Sequence, residues 1–444
     1  MDNLSDSVSH THQPPKIEPL SQTDLEMIGR VRERLVGLSI KPPSWRDVDP
    51  ARRRRFFDEV RSVLIDQGGD KSNVNRNAQI VTDALSGVGL LDQLLRDPYV
   101  EEIFVRKGDV AVEYDGAFLS LGKLADDRYF EDLAIHVADQ GGATLRGDRP
   151  AVLIDLPGGE RFTAIVPRLS TEGTAINIRT FGRRVKTLEE MEQTGTFNKR
   201  RVTAEGVLND ISDLEIRTRI GKLEKAPDRF LAWVAATLSG SVLIAGEMGS
   251  GKTTLLNALS GFLPRQAPVA ALETFRELEI QHPFLLRTVA PAELPQGTPG
   301  VTLDWVLDII YTRMNPAAIL VGEVVGREAL QFLKATCLGR KALTTIHGGT
   351  VEEALMRLEQ LALASAPELG LPAIRSMVAL GLDVVALMGR VAHAGRVERT
   401  LQAIALLDGI DERGNYRLNY LYRAGDIQVI PILAKAFASL EVRT

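Results

Sequence analysis

The chain of 444 residues holds a single cysteine, no long apolar run and no surplus of basic residues. Cys337, being alone, rules out an internal disulfide framework and predicts a reducing, cytosolic compartment. Set in a helix-like apolar pattern, it reads as a small core residue rather than a nucleophile. No segment approaches the ~20 apolar residues that a membrane-spanning helix needs. Met1 to Leu20 is polar and lacks the apolar stretch of a secretory leader. Work at a membrane is therefore expected to depend on recruitment by partners. With 53 Lys+Arg against 58 Asp+Glu, the net charge of −5 argues against a protein that coats nucleic acid.

What the chain does have is Gly246-Glu247-Met248-Gly249-Ser250-Gly251-Lys252-Thr253, a match to GxxxxGK[ST]. The chemistry it suits is an anion cradle. Glycines let successive backbone N–H groups converge on a phosphate, the following helix offers its positive end, and Lys252 adds a cation. Gly246, Gly249, Ser250, Gly251, Lys252, Thr253 and Thr254 are the candidate nucleotide-binding residues, with the Thr253 hydroxyl aimed at Mg²⁺. Context supports the match: Ser241 to Ala245 reads as a buried strand, and Thr253 to Leu259 follows with helical periodicity.

The length implies two or three domains. Residues 1–20 read as a disordered tail and 21–97 as a charged helical module. Within that module Arg52 to Arg55 is flanked by Asp47, Asp49, Asp58 and Glu59, so a solvated helix face or subunit contact is favoured over a nucleic-acid or membrane patch. Residues 98–182 switch to short strands and turns, with an Asp115-Gly116 hairpin signal, a helix near Arg128 to Asp139 and a Pro157-Gly158-Gly159 turn: a mixed α+β unit. Residues 183–228 read as a connector. From 229 to 444 strands and helices alternate in the manner of a parallel-sheet nucleotide-binding domain. Strands are expected at Ser241 to Ala245, Pro268 to Leu272, Ala317 to Val321, Ala342 to Ile346, Val384 to Met388 and Leu401 to Leu407. A short, mildly apolar segment closes the chain beyond Arg423.

Hydrolysis needs a held metal and an aimed water as well as a cradle, so carboxylates are sought at strand ends. Two are found. The run Ala317 to Val321 ends in Gly322-Glu323, the form of a Walker B segment with glutamate for aspartate, and Val269 to Leu272 ends in Glu273. A third strand, Thr344-Thr345-Ile346, ends in His347 and two glycines, at the edge where open parallel sheets bind ligands.

These blocks resemble the secretion-ATPase superfamily of type II secretion, type IV pilus and type IV secretion systems. Arg313 to Glu323 looks like its Walker B block, Ala342 to His347 its His box, and Leu272 to Leu278 its Asp box. The upstream unit fits through Asp97 to Ile103, Leu156 to Arg161 and Asn177-Ile178-Arg179. The resemblance runs over residues 95–422 and points to the CpaF/TadA branch of pilus-assembly ATPases, with the conjugation and secretion ATPases as neighbours. It implies an α/β fold: a RecA-like P-loop NTPase domain preceded by a mixed α+β, PAS-like domain and a helical N-terminal module. It also implies a homo-hexamer that hydrolyses ATP with Mg²⁺ at the inner face of the cytoplasmic membrane. There it would drive an inner-membrane platform protein, with no direct nucleic-acid contact.

By the same resemblance Glu273 aims or deprotonates the attacking water, Glu323 supports Mg²⁺ and its waters, and His347 senses the γ-phosphate or links neighbouring sites. Arg161 and Arg179 neutralise phosphate charge on closure. The chain departs from the pattern at Thr274, where aspartate is usual, at Val325, where arginine often follows, and at Arg340, where a first histidine is common. Those departures bear on rate and on coupling between subunits. Two rivals stand beside a pilus motor: a conjugation or type IV secretion ATPase moving protein or DNA–protein substrates, and a regulatory subunit that binds ATP but turns it over slowly.

Overall fold

A computed structural model describes residues 16–44, 49–68, 72–114, 116–145, 149–156, 158–180, 211, 213–223, 225–290, 301–393 and 396–424. Expectations that fall on residues 1–15, 115, 157, 183–210 and 425–444 lie outside the described residues. The chain divides into two compact units, Met1–Thr194 and Gly195–Thr444.

The first unit opens with three helices, α1 (Gln22–Gly37), α2 (Pro50–Asp66) and α3 (Val74–Ser86). Local chemistry sets their starts. Ser21 and Asp24 form a reciprocal capping box on α1, and Asp49 caps α2 with Pro50 just inside it. Their shared core holds Val31, Leu35, Phe56, Val60, Ala78 and Val81, all buried. At about 1.5–3 kcal/mol for each large apolar side chain, this burial outweighs the ~1 kcal/mol of a cap. Within the arginine run, Arg53 bridges Asp83 and Asp92 at 2.8 Å each, whereas Arg54 and Arg55 are exposed. Part of the stretch expected as tail is packed: Ile17 is buried, and the Leu20 N–H donates to the Leu124 carbonyl at 2.7 Å.

A short α4 (Asp92–Leu95) leads into β1 (Val100–Arg106), β2 (Asp109–Tyr114) and β3 (Ala117–Lys123). Then come α5 (Asp127–Gln140), β4 (Ala151–Asp155), β5 (Arg161–Ile165) and β6 (Ala175–Arg179). The strands form one antiparallel sheet in the order β3-β2-β1-β6-β5-β4. α5 buries Phe130, Leu133 and Val137 in the same cluster as Ile103, Val105, Phe162 and Ile178.

In the second unit α6 (Leu214–Gly221) and α7 (Ala226–Thr237) come first. Ile211, Ile216 and Ile220 lie inside the stretch expected as connector, yet they are buried in this unit's core with Phe230 and Val234. The strands are β7 (Val242–Gly246), β8 (Val269–Glu273), β9 (Leu285–Val289) and β10 (Ala318–Val321). They continue with β11 (Lys341–His347), β12 (Val384–His393), β13 (Arg396–Ile410) and β14 (Tyr416–Arg423). Their order is β14-β13-β12-β7-β11-β10-β8-β9. From β12 through β9 the pairings are parallel, and β13 and β14 add antiparallel strands at one side. β7 and β8 are buried at every residue, as parallel strands covered on both faces must be. The covering helices include α8 (Lys252–Ser260), α9 (Leu303–Arg313), α10 (Glu328–Cys337), α11 (Val351–Ser365) and α12 (Gly370–Gly381). Two strands, β9 and β14, occur where the sequence reading has none. Cys337 is exposed at the end of α10 rather than in the core, and partial burial pushes its thiol pKa up. Among the described residues no helix is long and apolar enough to cross a membrane.

Candidate active site

Strand order assembles the site. β11 lies between β7 and β10, and β10 between β11 and β8, so their carboxyl ends stand side by side. Register fixes the heights: His347 pairs with Gly246, and Val321 pairs with both Thr344 and Leu272. Glu273, Glu323, His347 and the glycine-rich loop therefore share one edge of the sheet, the edge where open α/β sheets bind ligands.

The loop leaves β7 at Gly246, where a Cβ would sit 2.6 Å from the Met388 carbonyl oxygen, so the neighbouring strand leaves room for glycine alone. It ends at Gly251, whose φ of +95° is left-handed and suits glycine. Gly251 also stands at the start of α8, where no side chain caps the helix. The amides of that first turn are open to an anion. Ser250 is fully buried, and its Oγ finds no hydrogen-bond partner among the described residues. A buried hydroxyl left over in a loop of this shape fits a phosphate-bearing ligand. Thr253 is half-buried and Thr254 exposed on the first turn of α8.

Lys252 folds back over the loop and is buried. Its Nζ lies 3.1 Å from the carbonyl oxygens of Gly246 and Glu247 and 3.3 Å from His347 Nδ1. Burial lowers the ammonium pKa, against an upward pull from Glu323. An ammonium has no lone pair, so His347 Nδ1 accepts and the ring proton sits on Nε2. That nitrogen lies 3.0 Å from Glu323 Oε1. Lys252, His347 and Glu323 thus form a continuous polar chain beside the loop. Glu323 and His347 keep 37% and 43% of their side-chain surface exposed, room enough for water and ligand.

Glu273 is built differently. Its side chain is 2% exposed, and Oε1 accepts the N–H groups of Glu277 at 2.8 Å and Leu278 at 2.6 Å. Oε2 pairs with Arg287 Nη1 at 3.2 Å, and Arg287 in turn donates to the carbonyls of Leu278 and Ile280. Glu273, expected to aim or deprotonate the attacking water, here accepts from three donors that tie it to the 274–280 loop and to a buried arginine.

Arg161 and Arg179 belong to the N-terminal unit, where they are exposed and face each other across β5 and β6. A cavity of about 810 Å³ lies in that unit too, bordered by Ile28, Arg32, Leu85, Leu133 and His136, and none of the sequence-derived site residues lines it. Three arginines of the second unit escaped the sequence reading. Arg287 lies on β9, inside an apolar run that carries no motif. Arg390 and Arg399 are brought beside the loop by the β12–β13 hairpin. Of the departures, Val325 is half exposed, and its N–H donates to Glu328 at 2.6 Å, whereas Arg340 precedes β11 at the end away from His347.

Among the described residues no three His, Cys, Asp or Glu side chains converge on a metal position. A divalent ion here would rely on the Thr253 hydroxyl, Glu323 and ligand oxygens, the sparse protein shell usual for Mg²⁺ with phosphates.

Comparison with known proteins gives concordant matches. A family model described as "Type II/IV secretion system protein" matches residues 209–388. The type IV secretion system protein PtlH of Bordetella pertussis is 32% identical over 273 residues, covering 57% of this chain and 74% of PtlH. The type IV secretion system protein VirB11 of Brucella suis is 28% identical over 311 residues, covering 68% of this chain and 84% of VirB11. A crystal structure of the VirB11 ATPase from the Brucella suis type IV secretion system, in complex with sulphate, matches with a TM-score of 0.58 and 27% identity. It covers 71% of this chain and 94% of that one.

Proposed function

This chain belongs to the type II/IV secretion ATPase family, and on that premise we propose that it works as a ring of six copies that moves a protein substrate through a membrane platform. ATP is the fuel. The observation that carries the reading is the chain Lys252–His347–Glu323 at the mouth of a loop whose Ser250 hydroxyl is buried without a partner.

In this reading the loop amides and the first turn of α8 bind the phosphates, and Lys252 exchanges the Gly246 and Glu247 carbonyls for phosphate oxygens. That exchange releases His347 Nδ1, so the imidazole reports occupancy of the loop to Glu323. Glu323, with an open face, orients water and the metal shell together with Thr253. Bound Mg²⁺ would supply charge neutralisation at the β- and γ-phosphates. Glu273 acts one step back, keeping the 274–280 loop at the sheet edge. The platform and the inner membrane are proposed as the workplace because no described helix spans a bilayer and the named relatives belong to secretion systems. Those relatives favour type IV secretion cargo over pilin extrusion.

The test is phosphate release by the purified protein. Lys252→Ala is expected to abolish turnover, with wild-type activity in that variant refuting the site. Native mass measurement is expected to find six copies of 48.6 kDa in the presence of nucleotide. A monomer at working concentration removes the ring.

A further inference from the structure

The edge that carries the loop has two flanks. On one stand His347, Glu323 and Glu273; on the other β12 and β13 continue the sheet. β12 outruns its neighbour: Met388 pairs with Gly246 where β7 ends, and β12 goes on to His393. Arg390 lies two residues beyond Met388, on the same side of the strand, and pairs directly with Arg399 of β13. Both side chains lean on the loop. A Cβ on Gly251 would lie 3.3 Å from Arg399 Cδ, and one on Gly249 would lie 3.9 Å from Arg390 Nη1. Both arginines are exposed, and among the described residues no carboxylate pairs with either.

Like charges set directly opposite on paired strands destabilise the pair, so this arrangement invites an anion. Lys252, Thr253 and Glu323 address the β- and γ-phosphates and the metal, which directs that end of the ligand towards β11 and β10. The other end falls on the β12–β13 flank. We infer that Arg390 and Arg399 form a second cationic grip on the nucleotide, at the α-phosphate and nucleoside end, and therefore hold ATP and ADP alike. This rests on the nucleotide reading of the loop. It deepens that reading by assigning product retention to the hairpin: ADP keeps this grip after the γ-phosphate has left.

The experiment is calorimetric titration of the full chain with ATP and with ADP, for wild type and for Arg390→Gln/Arg399→Gln. Glutamine keeps most of the aliphatic stem on an exposed strand position and removes the charge. Charge-assisted hydrogen bonds predict about tenfold weaker binding for each arginine removed, with equal factors for ATP and ADP. Affinities within twofold of wild type overturn the inference, and so does a loss confined to ATP, which would place the arginines at the γ-phosphate. Should the double variant fail to fold, the two single variants carry the same comparison. A wild-type chain that binds neither nucleotide overturns the phosphate-loop reading instead.

Discussion

Glu273 and Glu323 end neighbouring parallel strands, each after an apolar run, and their surroundings could hardly differ more. At the end of β8 the carboxylate is buried, takes two backbone N–H groups and faces a buried guanidinium. At the end of β10 it is more than one-third exposed and pairs with an imidazole. The same local pattern thus yields a sealed ion pair in one place and an open carboxylate in the next. The difference comes from β9, which brings Arg287 to Glu273, while β11 brings His347 to Glu323.

The sharpest way to break this contrast is to neutralise each acid in turn. Glu323→Gln is expected to slow hydrolysis by about 10²-fold or more, with ATP binding retained and the melting temperature little changed. Should Glu273→Gln give the same pure rate loss at unchanged stability, the two acids share one role and the contrast is gone. Glu273→Ala should act on folding: it strands Arg287 in the core, a loss of about 3–5 kcal/mol, read as a lowered midpoint in denaturant. Replacing the pair together, Glu273→Leu with Arg287→Met, should recover part of that loss, because no buried charge is left alone although the backbone groups at 277, 278 and 280 still lose their partners. Additive losses in the double variant would mean that the pair is not the source of the stability.

The smallest effect is a pH dependence at the amino end of β9. His282 is held between the Pro264 carbonyl and the Phe284 N–H, and burial foremost depresses its pKa below the usual 6.5. The unfolded chain therefore takes up the proton first as pH falls. The contribution of His282 is complete above pH 6.5 and is lost as pH drops through the lower folded value. Melting curves between pH 7.5 and 5.5 should show the decline, and His282→Asn should flatten it.

Much of the second unit was legible because parallel strands buried on both faces are near-continuous apolar runs. The expected strand at Ser241 to Ala245 is observed as Val242–Gly246, and that at Ala342 to Ile346 as Lys341–His347. β9 was not legible: Leu-Leu-Arg-Thr-Val places a charge in a five-residue run, and partners distant in sequence, Glu273 with the Leu278 and Ile280 carbonyls, make that arginine compatible with burial. Leu214–Gly221 read as connector because Glu215, Arg217 and Arg219 interrupt its apolar residues, of which only Ile216 and Ile220 are buried anchors. Arg390 and Arg399 belong to no motif. Their place follows from a strand that outruns its neighbour by five residues, a length set by pairing with β13 rather than by composition.

By itself the sequence determined the phosphate loop, the acids and the histidine at strand ends, because glycine torsions, apolar runs and their terminating polar residues are local properties of the chain. Which acid stays open, which is sealed by an arginine, and which cations flank the loop were decided by strand order and register. Those follow from pairing between segments far apart in sequence, and so no local pattern contains them.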